Sequence, residues 1–327
     1  MRVVRDLSEL REPVHKSAVT IGNFDGIHLA HRELLHRVVH SARELGGTSV
    51  VVTFDPHPAQ ILAPEHAPKI LTPVALKTRL IEQEGIELLV ILKFNRELSR
   101  LSPREFATGI LVQKLHAAMV HVGSNFRFGH QRAGDTAMLA ELGRQGGFNV
   151  EALSMIKIRG HRVSSSQVRH FLSEGRVEIA GRLLGRPYSV RGSIAEGEGV
   201  GHRQTVPTLN LGPVEQQLPK NGVYITRTRV QGTLHDSVTN VGHKPTFGHH
   251  RLTVESFLLG FRGEIDADEM EIEFLHRLRD EIKFPNAEAL KQQIQQDVGR
   301  SLKFFRLMKI LGRIMARPER TDPSTHS

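Results

Sequence analysis

Two histidines and two glycines stand close together near the start of the chain, directly after a short apolar run. Residues 18–21 have the composition of a buried strand, a turn follows at 22–26, and His28 and His31 lead into a helical pattern. Glycines let a backbone turn sharply and approach a bound group closely, a helix start offers free N–H groups to an anion, and residues three apart share a helical face. The stretch predicts a site for the phosphates of a nucleoside triphosphate, without a Walker A loop or its lysine.

Further polar side chains follow later apolar runs. Asp55 and His57 come after one run, and Asn125 and Arg127 come after another. Ligands of parallel α/β sheets bind beyond the carboxyl ends of the strands, so one cleft could collect these residues. The Asn125 amide could orient a substrate, and the Arg127 guanidinium could hold a phosphate.

A serine-rich stretch at residues 163–169 opens another helical pattern. Hydroxyl groups at a helix start cap the helix or bind a phosphate. Ser165 and Arg169 lie four apart, about one turn, so both can face the same anion. A capped helix without a ligand remains the alternative interpretation.

Strand and helix patterns alternate through the first half, which predicts a parallel sheet with helices on both faces. Thr72 before Pro73 predicts one helix start, and Ser102 with Glu105 forms a capping box at another. The predicted strands are residues 19–21, 48–54, 88–92, 118–122 and 149–153, and the predicted helices are 29–44, 72–84, 103–114 and 135–144.

The pattern changes at residues 182–188. Short β-type runs separated by glycine turns follow at 188–194, 222–230, 236–241, 253–259 and 270–275, which predicts a small antiparallel barrel. Asn286 is the predicted cap of a last helix, whose apolar residues include Leu290, Ile294, Val298 and Leu302. We expect two domains, residues 1–184 and 185–315, and a polar tail at 316–327.

Composition limits the class of protein. A chain of 327 residues without cysteine has no disulfide framework, thiolate metal site or cysteine nucleophile. The early charges argue against a signal peptide, and no apolar run reaches the length of a membrane span, so we expect a cytoplasmic protein. The net charge of +9 is scattered rather than clustered. We therefore expect neither a nucleic-acid nor a membrane partner.

The turn at 22–31 resembles the Gly-x-Phe-Asp-x-x-His-x-Gly-His signature of the nucleotidyltransferase superfamily, with Ala30 in place of a glycine. Thr-Phe-Asp-Pro-His-Pro at 53–58, Gly-x-Asn-Phe-Arg-Phe-Gly at 123–129 and Ser-Ser-x-x-Val-Arg at 164–169 follow in an order similar to that of prokaryotic bifunctional riboflavin kinase/FAD synthetases. The resemblance implies a Rossmann-like domain with FMN adenylyltransferase activity. In that reaction the FMN phosphate attacks the α-phosphorus of Mg·ATP, giving FAD and pyrophosphate.

The resemblance also implies roles for individual residues. His28 and His31 would hold the ATP phosphates and stabilise the transition state, Ser165 and Arg169 would bind the leaving β and γ phosphates, and Asn125 would position the substrate. The implied ATP-binding residues are Gly22, Asn23, Phe24, Asp25, Gly26, His28, His31, Ser165 and Arg169, and the implied substrate-binding residues are Asn125, Arg127, Asp55 and His57.

The second half resembles the riboflavin kinase module, which implies a six-stranded antiparallel β-barrel with a C-terminal helix. The motif is Val-Pro-Thr-Leu-Asn-Leu at 206–211. Thr208 and Asn210 offer two oxygen ligands for Mg²⁺ from what reads as one tight turn. Glu255 matches the family's catalytic glutamate, which would accept the proton of the riboflavin 5′-hydroxyl as that oxygen attacks the γ-phosphate of ATP.

Several positions depart from the kinase pattern, among them His202, Thr205, Val206, Leu209, Phe257 and Asp266. An FAD synthetase with a degenerate, flavin-binding kinase module is therefore the second hypothesis. A nucleotidyltransferase for another acceptor and a basic flavin-sensing or RNA-binding protein are further alternatives. The leading hypothesis is an enzyme that uses ATP to make FMN from riboflavin and FAD from FMN.

Overall fold

The structure is a computed structural model that describes residues 1–10, 14–195, 208–246, 249–263 and 265–315. Side chains at 243–246, 249–251 and 312–315 are not described. The departures from the kinase pattern at residues 202, 205 and 206 lie outside the described residues. The chain divides into two compact units. The first comprises Met1–Leu172, Ile179–Arg186 and Glu215–Gln217, and the second comprises Ser173–Glu178, Pro187–Val214 and Leu218–Ser327.

The first unit contains a six-stranded parallel sheet. Its strands are β1 (Arg2–Val4), β2 (Ser17–Ile21), β3 (Ser49–Asp55), β4 (Leu88–Lys93), β5 (Ala117–Gly123) and β6 (Asn149–Leu153), in the order β1-β4-β3-β2-β5-β6. Helices alternate with them: α1 (Leu29–Leu45), α2 (Pro58–Leu62), α3 (Val74–Gln83), α4 (Arg96–Arg100), α5 (Pro103–Phe106) and α6 (Thr136–Gly146). A small hairpin, β7 (Lys157–Ile158) and β8 (His161–Arg162), precedes α7 (Ser165–Ser173) and α8 (Val177–Leu184). The predicted Rossmann-like architecture is confirmed, and the short edge strand β1 was not predicted.

Apolar side chains cover both faces of this sheet. In β3, Val50 and Val52 pack into one core cluster with Leu111, whereas Val51 packs into the other with Leu35 of α1. A strand buried on both faces reads as a continuous β-branched run, because neither face contacts water. This is why the sequence pattern identified the central strands.

Two predicted helices differ from the structure. The helix expected at 72–84 begins at Val74, and Pro73 is its N-cap, because a residue that precedes proline is driven out of the helical conformation. Thr72 does not cap it; its hydroxyl instead accepts a hydrogen bond from the Gly26 amide at 2.9 Å. The helix expected at 103–114 starts at the predicted Ser102 capping box. It then continues as a π-helix over Ala107–Val112.

The second unit contains a closed antiparallel barrel. Its strands are β9 (Tyr188–Ala195), β10 (Thr208–Leu211), β11 (Gly222–Val230), β12 (Thr233–Thr246), β13 (His249–Leu258) and β14 (Glu269–Arg279), in the order β10-β13-β12-β11-β14-β9. The six-stranded barrel is confirmed. The tight turn expected at Thr208 and Asn210 is wrong: these residues belong to β10, which pairs with β13 and β9. Buried Leu209 and Leu211 alternate with them, as in a half-buried strand.

Hydroxyl groups fill part of the barrel interior. Five side chains with no exposed surface, Thr226, Thr228, Ser237, Thr239 and Ser256, hydrogen bond to one another. Their oxygen–oxygen distances run from 2.6 to 3.2 Å. Because each hydroxyl both donates and accepts, the network satisfies its own polar atoms away from water. The sequence patterns gave no sign of this polar interior.

The last helix, α9 (Ala287–Met315), starts at the predicted cap, where the Asn286 side chain accepts from the Ala289 amide at 2.9 Å. Its buried side chains include Asp297, which pairs with Arg279 at 2.8 Å. The exposed apolar side chains of α9 include Leu290, Ile294 and Leu302, which the sequence analysis had assigned to it. Within the described residues, no helix combines the length and the apolar character of a membrane span.

Two neighbouring glycines in the α1–β3 connection provide a paired test of how closely this loop packs against the rest of the sheet unit. A Cβ atom on Gly47 would lie 2.0 Å from the carbonyl oxygen of Lys16, whereas one on Gly46 would meet no atom within 4 Å. Gly46 has a φ of 59°, so Gly46→Ala costs only the left-handed conformation, about 1 kcal/mol. We expect Gly47→Ala to destabilise the sheet unit by about 3 kcal/mol. Urea unfolding followed by circular dichroism measures both, and equal losses would contradict the backbone clash.

Candidate active sites

The turn between β2 and α1 has an unusual backbone. Phe24, Gly26 and Ile27 all have positive φ angles, at 46°, 94° and 41°. Such a conformation costs a non-glycine residue about 1–3 kcal/mol and persists only where its surroundings impose it. Here the Phe24 and Ile27 side chains are both 1% exposed. Their burial holds the backbone of the turn in place.

Asp25 is the anchor of this turn. Its buried carboxylate accepts hydrogen bonds from the backbone amides of Leu71 at 3.0 Å and Thr72 at 2.9 Å, and it forms an ion pair with Arg169. Its own carbonyl oxygen accepts from the Ser165 hydroxyl at 2.7 Å. The carboxylate therefore joins the turn to the segment before α3 and to α7. Ser165 and Arg169 thus lie beside the turn, and their role in binding phosphate remains a prediction.

Two arginines surround the turn. The Arg186 guanidinium donates to the carbonyl oxygens of Gly26 at 2.7 Å and Ile27 at 3.0 Å. The Arg169 Nε donates to the Lys69 carbonyl at 2.8 Å. Arg186 was not among the predicted site residues, because no local motif connects it with a turn so far away in the sequence.

Residues Glu215–Gln217, which belong to the same unit, support this region further. The Gln216 side chain is buried and donates to the Leu71 carbonyl at 3.1 Å. The Gln217 side chain donates to the Arg169 carbonyl at 2.8 Å. The backbone around the Asp25 anchor thus depends on residues that follow it by almost two hundred positions.

His28 and His31 lie against each other at the start of α1. His28 is the N-cap, and its Nδ1 accepts from the His31 backbone amide at 3.3 Å. The two rings stack with centroids 3.6 Å apart and planes inclined by 13°. The predicted common face is confirmed. Because Nδ1 of His28 is an acceptor, the neutral ring carries its proton on Nε2, which is a donor.

Both histidines are uncharged at neutral pH. Burial lowers the pKa of His28 to about 4, and the nearby Arg186 acts in the same direction. Burial also lowers the pKa of His31 well below its usual range, assisted by the neighbouring His28 ring and by the charges of Lys77 and Arg186. The buried Nδ1 of His31 has no hydrogen-bond partner in the described part of the chain. The helix start therefore offers N–H donors rather than histidine cations to an anion.

Asn23 connects the turn to two other elements. Its side-chain amide lies 3.2 Å from Nε2 of His57, whose Nδ1 accepts from the Ala59 amide and caps α2. Its carbonyl oxygen accepts from the Lys77 Nζ at 2.8 Å. Lys77 lies on α3 and also donates to the Thr53 hydroxyl at 3.4 Å. No sequence motif marks Lys77, and it was not among the predicted site residues.

Three predicted substrate-binding residues lie at or just after the carboxyl ends of β3 and β5. Because β2 lies between β3 and β5 in the sheet, the carboxyl ends of those strands place Asp55 and Asn125 on either side of it. Asn125 is exposed. Asp55 is half-exposed, with Arg5 at 3.9 Å. Arg127 forms an exposed ion pair with Asp135 at 3.2 Å. Their roles in substrate binding remain predictions.

A second group of functional candidates lies on the outer face of the barrel. The strand register places Glu255 directly opposite Asn210 on one side and Asn240 on the other. Thr208 is two residues before Asn210, so it shares the same face. Ser256 and Leu209, which alternate with these residues, are buried in the barrel. The register thus brings Thr208, Asn210 and Glu255 together, and it adds Asn240, which the sequence analysis missed.

Comparisons with known proteins agree with this division into two sites. The family described as FAD synthetase matches residues 10–167, and the family described as riboflavin kinase matches residues 184–305. The chain is 38% identical over 301 residues to a bifunctional riboflavin kinase/FMN adenylyltransferase of Pseudomonas fluorescens, covering 91% of this chain and 96% of the relative. A relative with the same description from Escherichia coli strain K12 is 30% identical over 94% of this chain and 99% of its own length.

A similar solved structure is that of a chain titled macrolide-efflux protein from Streptococcus pneumoniae. Its TM-score is 0.81 at 26% identity, covering 90% of this chain and 96% of that one. The likeness extends over both units.

The Asp25 anchor leads to a stability prediction. Asp25→Asn replaces a carboxylate oxygen by an amide group and removes the ion pair between Asp25 and Arg169, whose side chain is 15% exposed. Breaking a buried pair from one side costs about 3–5 kcal/mol. Asp135→Asn is the matched control, because asparagine is an equal N-cap and the ion pair with Arg127 is exposed. Denaturant unfolding should show this loss of unfolding free energy in Asp25→Asn and almost none in Asp135→Asn. Similar losses in the two variants would contradict the anchoring role of Asp25.

The histidines lead to a pH prediction. Between pH 6.5 and about 4 the unfolded chain binds a proton at His28 that the folded chain does not. The unfolding free energy is therefore highest above pH 6.5 and decreases as the pH falls. Protonation of His28 accounts for a decrease of about 3 kcal/mol in total. His31 acts in the same direction.

We expect the unfolding free energy of the sheet unit to fall by at least about 2 kcal/mol between pH 7.5 and 5. The fall should be smaller in His28→Asn and unchanged in a variant of the exposed His40, His40→Asn. Because the chain has no tryptophan, circular dichroism is the suitable probe. An identical pH dependence in wild type and His28→Asn would show that His28 is not held neutral.

Proposed function

The chain belongs to the family of bifunctional riboflavin kinase/FMN adenylyltransferases, and we propose that its two units divide the two reactions between them. It phosphorylates riboflavin with ATP to FMN and adenylylates FMN with a second ATP to FAD. We assign FMN adenylylation to the sheet unit and riboflavin phosphorylation to the barrel unit. The observation that carries the first assignment is the anchored turn with two stacked, neutral histidines at the start of α1.

In the sheet unit, the helix start would receive the triphosphate of ATP. The Nε2–H of His28 and the free amides of α1 are directed donors for phosphate oxygens. An oxygen of the FMN phosphate attacks the α-phosphorus, the bond to the β-phosphate oxygen breaks, and pyrophosphate leaves. That oxygen needs no base to remove a proton at neutral pH, so positioning and charge stabilisation supply the catalysis.

His31 and Arg169 would complete the phosphate site. Among the described residues, the buried Nδ1 of His31 has no hydrogen-bond partner, and a bound phosphate could satisfy it. Arg169 is held by Asp25 and the Lys69 carbonyl, and Ser165 by the Asp25 carbonyl. These contacts fix the side chains close to the turn, as a preorganised site requires.

In the barrel unit, Glu255 would act as the general base. It accepts the proton of the riboflavin 5′-hydroxyl while that oxygen forms a bond to the γ-phosphorus and ADP leaves. Asn240 and Asn210 flank Glu255 across the strands, so their amides could orient its carboxylate.

Localisation in the cytoplasm remains a prediction.

We propose Mg²⁺ as the metal of the kinase reaction. Thr208 and Asn210 offer a hydroxyl and an amide oxygen on one face, and hard oxygen donors of this kind suit Mg²⁺. Bound there, the ion would neutralise charge on the ATP phosphates. Among the described residues, no group of three or more histidine or acidic side chains forms a further metal site.

The strand register of the barrel bears on one alternative, the degenerate kinase module. The direct pairing of Asn210 with Glu255 favours an active kinase, since the implied metal ligand and the implied catalytic base occupy one face. The family relationship likewise favours FMN as the acceptor over a different one. It also favours an enzyme over a flavin-sensing or RNA-binding protein.

Two variants should separate the reactions. We expect His28→Asn, which keeps an N-cap residue, to slow FMN adenylylation about 10²–10³-fold and leave riboflavin phosphorylation unchanged. We expect Glu255→Gln to slow phosphorylation about 10²–10⁴-fold and leave adenylylation unchanged. Chromatographic separation of riboflavin, FMN and FAD measures both, and EDTA should stop phosphorylation until Mg²⁺ is restored. If both variants impaired the same step, the division of labour would be wrong.

A further inference from the structure

Lys77 is a buried cation held by neutral partners. Its side chain lies on α3 and is 6% exposed. Nζ donates to the Asn23 carbonyl at 2.8 Å and to the Thr53 hydroxyl at 3.4 Å. Across the described ranges no carboxylate lies within 4.0 Å of it. Burying a charge is costly unless an opposite charge compensates it.

The nearest carboxylates are already engaged elsewhere. Asp25 pairs with Arg169 and accepts from two backbone amides. Asp55 is half-exposed, with Arg5 at 3.9 Å. Burial lowers the pKa of Lys77, and these two carboxylates only oppose that shift from a distance. Within the described residues, the ammonium group of Lys77 is thus buried without a carboxylate in direct contact.

The position of Lys77 points to the identity of the missing anion. Its charge helps to lower the pKa of both His31 and His57, so it acts on the histidines on two sides of the turn. An ammonium group has three protons, and two are used by the neutral partners. The third has no acceptor among the described residues, so a ligand bound at the turn could accept it.

We propose that Lys77 is a phosphate-binding residue of the adenylyltransferase site and that the triphosphate of ATP is its counter-ion. The inference rests on the proposed function of the sheet unit. With His28 and His31 neutral and Arg169 paired to Asp25, the histidines supply donors but no net charge. Negative charge develops on the leaving pyrophosphate as the α–β bond breaks, and a desolvated cation stabilises it most where water is excluded.

A purely structural role is the competing explanation. Lys77 joins the turn to β3 through Asn23 and Thr53, and a neutral donor could do the same. A structural brace requires the hydrogen bonds, whereas a phosphate ligand requires the positive charge. Variants that separate charge from hydrogen bonding therefore decide between them.

The experiment uses the full chain with four variants. Lys77→Met removes the charge at nearly constant shape, and Lys77→Arg keeps it. Thr53→Val removes one hydrogen-bond partner of Lys77, and Lys114→Met removes an exposed lysine elsewhere in the same unit. FAD formation is measured at varied ATP and at varied FMN. Riboflavin phosphorylation in the same samples reports on the barrel, and circular dichroism reports on folding of the sheet unit.

We expect Lys77→Met to lower kcat/KM for ATP in FMN adenylylation about 100-fold and to change the KM for FMN less than threefold. Lys77→Arg should retain at least ten times more activity than Lys77→Met. Thr53→Val and Lys114→Met should stay within threefold of wild type, as should riboflavin phosphorylation in every variant.

Three results would overturn the inference: full adenylylation by Lys77→Met, equal losses in Lys77→Met and Lys77→Arg while both fold, or an equal loss in Thr53→Val. If Lys77→Met did not fold, comparison of Lys77→Arg with Thr53→Val would still decide, because only a requirement for charge predicts that both remain active. A wild-type protein that makes no FAD from FMN would instead refute the proposed function itself.

Discussion

The Asp25 carboxylate is the interaction on which the adenylyltransferase site depends. It is buried, and it uses two backbone amides and one arginine to compensate its charge. Those partners come from the segment before α3 and from α7, so three parts of the chain meet at one side chain. A turn with three positive φ angles would not persist without such constraints. The same contacts place Ser165 and Arg169 beside the start of α1.

Burial determines the chemistry at that start. The stacked rings of His28 and His31 are desolvated, and the loss of hydration keeps both neutral. Neutral imidazoles donate hydrogen bonds in fixed directions but contribute no net charge. The charge at the turn comes instead from Lys77, Arg169 and Arg186, and the Arg169 charge is compensated by Asp25. The histidines thus supply hydrogen-bond donors, whereas lysine and arginine side chains from other parts of the fold supply the positive charge.

The barrel positions its candidate residues by register. Antiparallel pairing places Asn210, Glu255 and Asn240 side by side, and the two-residue period of a strand puts them on the outer face. The inner face carries the hydroxyl network around Thr226 and Ser256. A shift of one residue in β13 would exchange these faces. The closed hydrogen bonding of the barrel therefore specifies its chemistry as well as its stability.

The sequence by itself determined the features that depend on neighbouring residues. The strand–turn–helix order, the shared face of His28 and His31, and the capping boxes all follow from local spacing, as does the parallel sheet from its continuous apolar runs. Local preference was less reliable where tertiary contacts compete with it. Thr72 contacts the turn instead of capping α3, and β10 is a strand because its leucines are buried between two partners.

Only the tertiary structure decided which residues are buried together. Asp25 meets Arg169 across 144 positions, and Lys77 meets Asn23 across 54. No spacing rule connects residues so far apart, and a lysine on a helix usually indicates a solvent-exposed face. The free energy of burying a charge depends on all the groups packed around it, and these groups come together only in the folded chain.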